Sequence, residues 1–200
     1  MTVGAIDQNL QLSSFSQYGQ GLGVVAPGNN INIYNKTYAG TSMATALVSG
    51  TVSLLQDMSY NTSYVIQTLE RTTTDLNETG YDIFTGYGLI NVSLAFQTIQ
   101  DREAPQISQS QNDVRISDNV GLYKIITPEQ TVQLHNLTRQ INLNNYNYSG
   151  NIIAEDLAGN IKEIEVTKTT NQMSANLALP VVIMLIICTQ IKKYQGKGKK

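Results

Sequence analysis

The sequence predicts an α/β N-terminal part, a small all-β part after it and a hydrophobic helix near the C-terminus. Three observations predict this. Short uncharged strand-like runs alternate with helical ones before Asp101, period-two alternation takes over after it, and everything from Thr169 to Ile191 is uncharged. Strands followed by helices indicate layered α/β structure. Several short alternating strands in about 65 residues, with no helical period, indicate a small β-sandwich. At 200 residues, 41% hydrophobic and 14% charged, the chain holds material for one proper core and one smaller one.

"TVGAI" (2–6) and "GVVAPG" (23–28) read as short buried strands, the second ended by Pro27 and Gly28. From Ser42 to Gln56 no residue is charged and apolar residues lie on every side, the pattern of a helix surrounded by other elements. A second helix is predicted after the caps Asn61 to Ser63, with Val65, Ile66 and Leu69 inward. A third is predicted after Asn91 as N-cap, with Val92, Ala95, Phe96 and Ile99 on one face. Two strands and two amphipathic helices supply too little cover for an all-round apolar helix, so covering polypeptide is expected upstream.

The charged "DRE" and Pro105 mark a linker. Beyond it, Val114 and Ile116, Val132 and Leu134, Ile141 and Leu143, and Ile164 and Val166 alternate with polar neighbours. Turns are expected at Asp118-Asn119, Gly150-Asn151 and Gly159-Asn160. "DNVGLYKI" and "DLAGN" ahead of the last strand resemble immunoglobulin-like modules of secreted microbial proteins. The bland reading of "DLAGN" is a plain hairpin turn.

"LALPVVIMLIIC" (177–188) is short for a membrane span, which needs roughly 20 apolar residues. Lys192, Lys193, Lys197, Lys199 and Lys200 follow it directly, as after a stop-transfer helix with a cytoplasmic tail. The expectation is a single-pass cell-membrane anchor over 174–191, a basic tail over 192–200 and the remainder extracellular. A C-terminal core helix is the competing reading. Six N-x-Ser/Thr triplets, at Asn35, Asn61, Asn77, Asn91, Asn136 and Asn147, agree with export.

Composition excludes several classes. A net charge of -2 gives no basic face for nucleic acid. Cys188 is the single cysteine and His135 the single histidine, so neither an internal disulfide nor a cysteine-based metal site can be built. No Gly-x-x-x-x-Gly-Lys-Ser/Thr phosphate loop is present.

Chemistry is suggested by "AGTSMATALVSG" (39–50), where Ser42 opens the uncharged helix. A serine becomes a nucleophile when a base takes its proton and donors await the oxyanion. A helix N-terminus supplies unpaired N–H groups and the positive end of the dipole. Thr41 adds a hydroxyl beside the site. The bland reading makes Ser42 or Thr41 an N-cap, since both types are favoured there.

"GTSMATALVSG" resembles the serine motif G-T-S-M-A-[ST]-P-H-[VI]-[AS]-G of the subtilisin-like serine proteases, the subtilases. "TVGAID", "SSFSQYGQGLGVVAPGNNI" and "GYGLIN" (86–91) resemble the elements before and after that serine, in the right order over residues 2 to about 99. The resemblance implies the C-terminal part of a subtilase catalytic domain over 1–100, followed by the immunoglobulin-like unit over 103–170. It implies Ser42 as nucleophile, Thr41 as support of the oxyanion hole, and protein or peptide substrates. Ala46 and Leu47 replace the family's Pro-His, a histidine that is not the base. The family's aspartate, catalytic histidine and oxyanion asparagine precede its serine, so a missing N-terminal half is the expected partner and the chain alone is expected to be inactive. No cofactor or metal site is expected; structural calcium is a matter for a complete enzyme.

Two rival readings have their own residues. "GTSMA" loosely resembles the G-x-S-x-G elbow of α/β-hydrolases, with Asp75, Asp82 or Asp101 and then His135 as later partners. Alternatively, the chain is a non-catalytic, membrane-anchored surface or binding module that retains a degenerate protease remnant.

Overall fold

A computed structural model of the chain describes residues 1–58, 61–134, 137–145 and 149–169. The chain divides into two units, Met1–Thr167 and Lys168–Lys200, and only Lys168 and Thr169 of the second are described. The expected membrane span over 174–191, the basic tail and His135 lie outside the described residues. Among the described residues no helix is long and apolar enough to cross a membrane.

The first unit opens with β1 (Val3–Ile6) and β2 (Val24–Pro27), the two predicted strands, paired in parallel with Val3 opposite Val24 and Ala5 opposite Ala26. Alternate side chains point to opposite faces of a strand. Ala5, Val24 and Ala26 accordingly meet Ala44 and Val48 of α1 (Thr41–Gln56) on one face. Ile6 and Val25 meet Leu22 on the other, with Leu12, Leu76 and Leu89 packed around them. Between β2 and α1 runs an exposed hairpin, β3 (Ile31–Ile33) and β4 (Lys36–Tyr38). Its turn residues Tyr34 and Asn35 both have positive φ, as a tight two-residue hairpin requires.

Helices α2 (Thr62–Arg71) and α3 (Val92–Gln100) begin at the predicted caps. Asn61 Oδ1 accepts from the Tyr64 N–H at 3.1 Å, and Asn91 Oδ1 from the Leu94 N–H at 3.0 Å. Val65, Leu69, Ala95 and Ile99 close a second core against Leu55 of α1. The inward face of α3 is narrower than predicted, because Val92 and Phe96 are exposed. The segment "GYGLIN" lies along β2: the Val25 N–H donates to the Gly88 carbonyl at 2.9 Å, and the Ile90 N–H to the Val25 carbonyl at 3.1 Å. Gly86, at φ 64°, crosses so close to the Gly23 carbonyl that a Cβ there would collide with it.

Seven antiparallel strands follow. They are β5 (Gln106–Ser110), β6 (Asp113–Ser117), β7 (Leu122–Ile126), β8 (Thr131–Gln133), β9 (Thr138–Asn142), β10 (Gly150–Asp156) and β11 (Ile161–Val166). They form a sheet of order β5-β6-β9 and a sheet of order β11-β10-β7-β8. Val114, Ile116 and Ile141 from the first sheet share one buried cluster with Leu122, Ile125, Ile152, Ala154 and Val166 from the second. Asp118-Asn119 and Gly159-Asn160 are turns as predicted. Gly150-Asn151 is not: these residues open β10, paired with Val166 and Glu165.

The α/β and β parts touch through α2. Arg71, in its last turn, pairs with Glu155 of β10 at 2.9 Å and stacks over the Tyr123 ring at 4.2 Å. Lys124 reaches the other Glu155 oxygen at 2.7 Å. The Tyr64 hydroxyl donates to the Ala158 carbonyl at 3.3 Å.

Candidate active site

The start of α1 is built by glycines. The Gly40 N–H donates to the Gly28 carbonyl at 2.8 Å, which ties the end of "VVAPG" to the residue before the helix. A Cβ at Gly28 would lie 2.6 Å from Ala5 Cβ and 2.9 Å from the Gly40 carbonyl oxygen. Only glycine lets the strand, the turn and the helix approach so closely. Gly40 itself is the N-cap, at φ 155° and ψ 153°, and has no side chain to bond the first turn.

Neither Thr41 nor Ser42 is therefore a cap, and the capping reading is corrected. Thr41 and Ser42 are the first and second helical residues. The Met43 N–H turns back to the Gly40 carbonyl at 3.0 Å, while no side chain satisfies the earlier N–H groups. Ser42 is exposed and Thr41 half-buried. The Ser42 hydroxyl lies 3.0 Å from where a Gly40 Cβ would be. The site thus presents a free-standing hydroxyl at the positive end of a 16-residue helix, on a backbone fixed by two glycines.

Along α1 only one stripe is buried: Ala44, Val48, Thr51 and Leu55. Among the described residues the expected all-round burial does not occur. Ala46, Leu47, Gly50, Ser53 and Leu54 are exposed, Leu47 at 46% and Leu54 at 52%.

Of the hydrolase-elbow candidates, His135 lies outside the described residues, and the described ones do not form the elbow architecture. An elbow needs a central strand running into the serine. The preceding β4 is instead an exposed hairpin strand paired only with β3. Asp75 is exposed and accepts from the Gly80 N–H at 2.7 Å. Asp82 is buried in its own turn, accepting from the N–H groups of Phe84 and Thr85 and from the Thr85 hydroxyl at 2.6 Å. Burial pushes the Asp82 carboxyl up, but these hydrogen bonds outweigh it and hold the group below the ordinary aspartate range. Asp101 sits at the end of α3. A cleft of about 350 Å³ between the two parts is lined by Glu70, Arg71, Tyr81, Tyr87 and Tyr123 and contains neither Ser42 nor Thr41.

Compared with known proteins, residues 1–88 match the family model of Peptidase S8, the Subtilase family. The N-terminal segment is subtilase-like. Subtilisin BL of Lederbergia lenta is 43% identical over 102 residues, which cover 48% of this chain and 37% of that protein. The thermophilic serine proteinase of Bacillus sp. (strain AK1) is 41% identical over 96 residues, 46% of this chain and 23% of that one. This chain therefore spans between 23% and 37% of the length of these two relatives. Among solved structures, MycP1 from Mycobacterium smegmatis aligns at 26% identity with a TM-score of 0.45, covering 55% of this chain and 33% of that one. The subtilase-like match holds Ser42, Thr41, the glycine cradle around them and the Gly86 crossing.

Proposed function

We propose that this chain carries the nucleophile of a subtilisin-type serine endopeptidase, with Ser42 attacking the scissile peptide carbonyl and the first turn of α1, including Thr41, supporting the oxyanion. The observation that carries this reading is an exposed serine at an uncapped helix N-terminus inside a segment that matches the subtilase model. The uncovered Leu47 and Leu54 face of the same helix supports a second element of the proposal. In this reading the catalytic aspartate, histidine and oxyanion asparagine belong to a subtilase N-terminal half that packs on that face. Without base and orienting carboxylate a serine loses several orders of magnitude in rate, so the chain alone is inactive.

In the same proposal the β part is an immunoglobulin-like spacer. What supports this reading is a pair of antiparallel sheets, β5-β6-β9 and β11-β10-β7-β8, that share one buried cluster. The apolar segment over 174–191 is its membrane anchor, with substrate proteins or peptides met outside the cell.

The experiment is fluorophosphonate labelling of the chain fused to a subtilase N-terminal half. Labelling at Ser42 is expected in the fusion, and none in the chain alone or in the Ser42→Ala fusion. A folded fusion that takes no label would favour the remnant reading. Labelling of the chain alone would remove the need for a second half.

A further inference from the structure

Three turns far apart in sequence bring carboxylates together. Asp101 ends α3, Asp118 opens the β6–β7 turn and Asp156 closes β10. One carboxylate oxygen from each lies within 4.8 Å of those of the other two. Two of the three are deeply placed, Asp101 at 6% and Asp156 at 0% exposed, and Asp118 is half-buried.

Hydrogen bonds use only part of its acceptor capacity. Asp118 Oδ1 accepts from the Val120 and Gly121 N–H groups at 2.9 and 2.7 Å. Asp101 Oδ1 accepts from the Glu103 N–H at 3.0 Å and from Asn119 Nδ2 at 3.3 Å. Asp156 takes both its bonds from Asn160, at 2.8 and 2.9 Å. The Oδ2 atoms of Asp101 and Asp118 are buried and have no hydrogen-bond partner. Among the described residues no basic side chain pairs with any of the three. Arg71 and Lys124 both go to Glu155, and Arg102, next to Asp101, donates to the carbonyls of Ile99 and Asp101.

Buried carboxylates survive when they are paired, protonated or bound to a metal. Burial, with a further contribution from the Asp118 and Asp101 charges, holds the Asp156 carboxyl above the ordinary aspartate range despite its bonds from Asn160. Two buried, unpartnered oxygens within a cluster of three carboxylates want a positive charge that the described residues do not supply.

We propose that Asp101, Asp118 and Asp156 form a divalent-cation site that clamps the end of α3 to the β6–β7 and β10–β11 turns. An all-oxygen donor set selects a hard cation. Ligands carried on three separate loops suit the irregular geometry of Ca²⁺ better than the strict octahedron of Mg²⁺. The clamp has a mechanical consequence. Asn160 Nδ2 already ties the β10–β11 turn to the Glu103 carbonyl at 3.1 Å, and a bound ion would lock the subtilase-like part and the β part at that same hinge. The site is independent of the chemistry at Ser42.

Calcium chloride titrated into the metal-stripped 200-residue chain, read by calorimetry and by the thermal melt, tests this. One site per chain is expected, with Tm raised by about 2–4 °C at saturation and less by equal Mg²⁺. Asp118→Asn keeps an acceptor for the Val120 and Gly121 N–H groups while removing one charge. In that variant the metal-free Tm is expected to equal or exceed that of the parent, and the Ca²⁺ shift to disappear. Asp101→Asn should also lose the shift, and Asp75→Asn, exposed elsewhere, should keep it. No heat and no Tm change in the parent chain at about 10 mM Ca²⁺, well above the range of extracellular calcium modules, would overturn the proposal. So would a full shift retained in both Asp118→Asn and Asp101→Asn. Should either variant fail to fold, the stoichiometry of the parent chain decides.

Discussion

Helix α1 and the β part treat their apolar residues in opposite ways. Val114, Ile116, Leu122, Ile152, Ala154 and Val166 of the β part are all fully buried, drawn from two sheets that cover each other. Helix α1 carries no charge along its length, yet it leaves Leu47 and Leu54 about half exposed. The difference teaches which half closes its own core. A sandwich needs only its second sheet, and that sheet is the next stretch of chain. A helix on a two-stranded parallel sheet has one covered side, and covering the other requires elements that the described residues do not form.

The largest effect expected from that contrast is in the β core. Leu122→Ala removes a fully buried side chain from the cluster that both sheets share, and a loss of about 2–5 kcal/mol is expected from lost transfer energy plus the cavity left behind. Urea unfolding of the 200-residue chain measures it. A loss below about 0.5 kcal/mol would mean that the two sheets do not share a cooperative core.

Much of this architecture was legible before any coordinates. Uncharged apolar runs place β1, β2 and α1, period-two alternation places β6, β8, β9 and β11, and Asn61 and Asn91 are recognisable as caps because their side chains have a single physical job there. The hairpin of β3 and β4 escaped, since Tyr34 does not advertise positive φ as a glycine would. Gly150-Asn151 looked like a turn on composition, but its pairing with β11 is a long-range contact that local propensity does not encode. At the candidate site, Ser42 and Thr41 are visible from the motif, whereas the competing capping reading fails because Gly40 takes that position without a side chain. The Asp101, Asp118 and Asp156 cluster was hidden for another reason. Each aspartate reads as an ordinary turn residue, and only the tertiary fold brings the three turns to one place.

Asp82 gives a middle-sized effect and ties the subtilase-like part to pH. Its carboxylate accepts three hydrogen bonds within the turn that precedes the Gly86 crossing, so its folded form is more acidic than an unfolded aspartate. A group with a depressed folded pKa stabilises the fold above its unfolded value, about 3.9, and that contribution fades as pH falls through the lower folded value. Asp82→Ala is expected to cost about 1–2 kcal/mol at neutral pH through the donors left unpaired. Asp82→Asn should flatten the acid limb of the urea midpoint against pH. An acid limb unchanged in Asp82→Asn would assign acid sensitivity to other carboxylates.

The smallest effect is the one that sharpens the contrast most. Leu54→Gln replaces a half-exposed side chain that belongs to none of the buried clusters of the described residues, on the outward face of α1, one turn from Gly50 and beside Ser53. In the chain alone the change is expected to stay within about 0.5 kcal/mol, as for other surface substitutions. The same change in a fusion with a subtilase N-terminal half is expected to cost about 2 kcal/mol or more, because there it would place an amide in a covered apolar seam without a partner. Measuring both by urea unfolding separates two properties that one chain cannot. A large loss in the chain alone would mean that α1 is already covered within these 200 residues, and the asymmetry between the two parts would vanish.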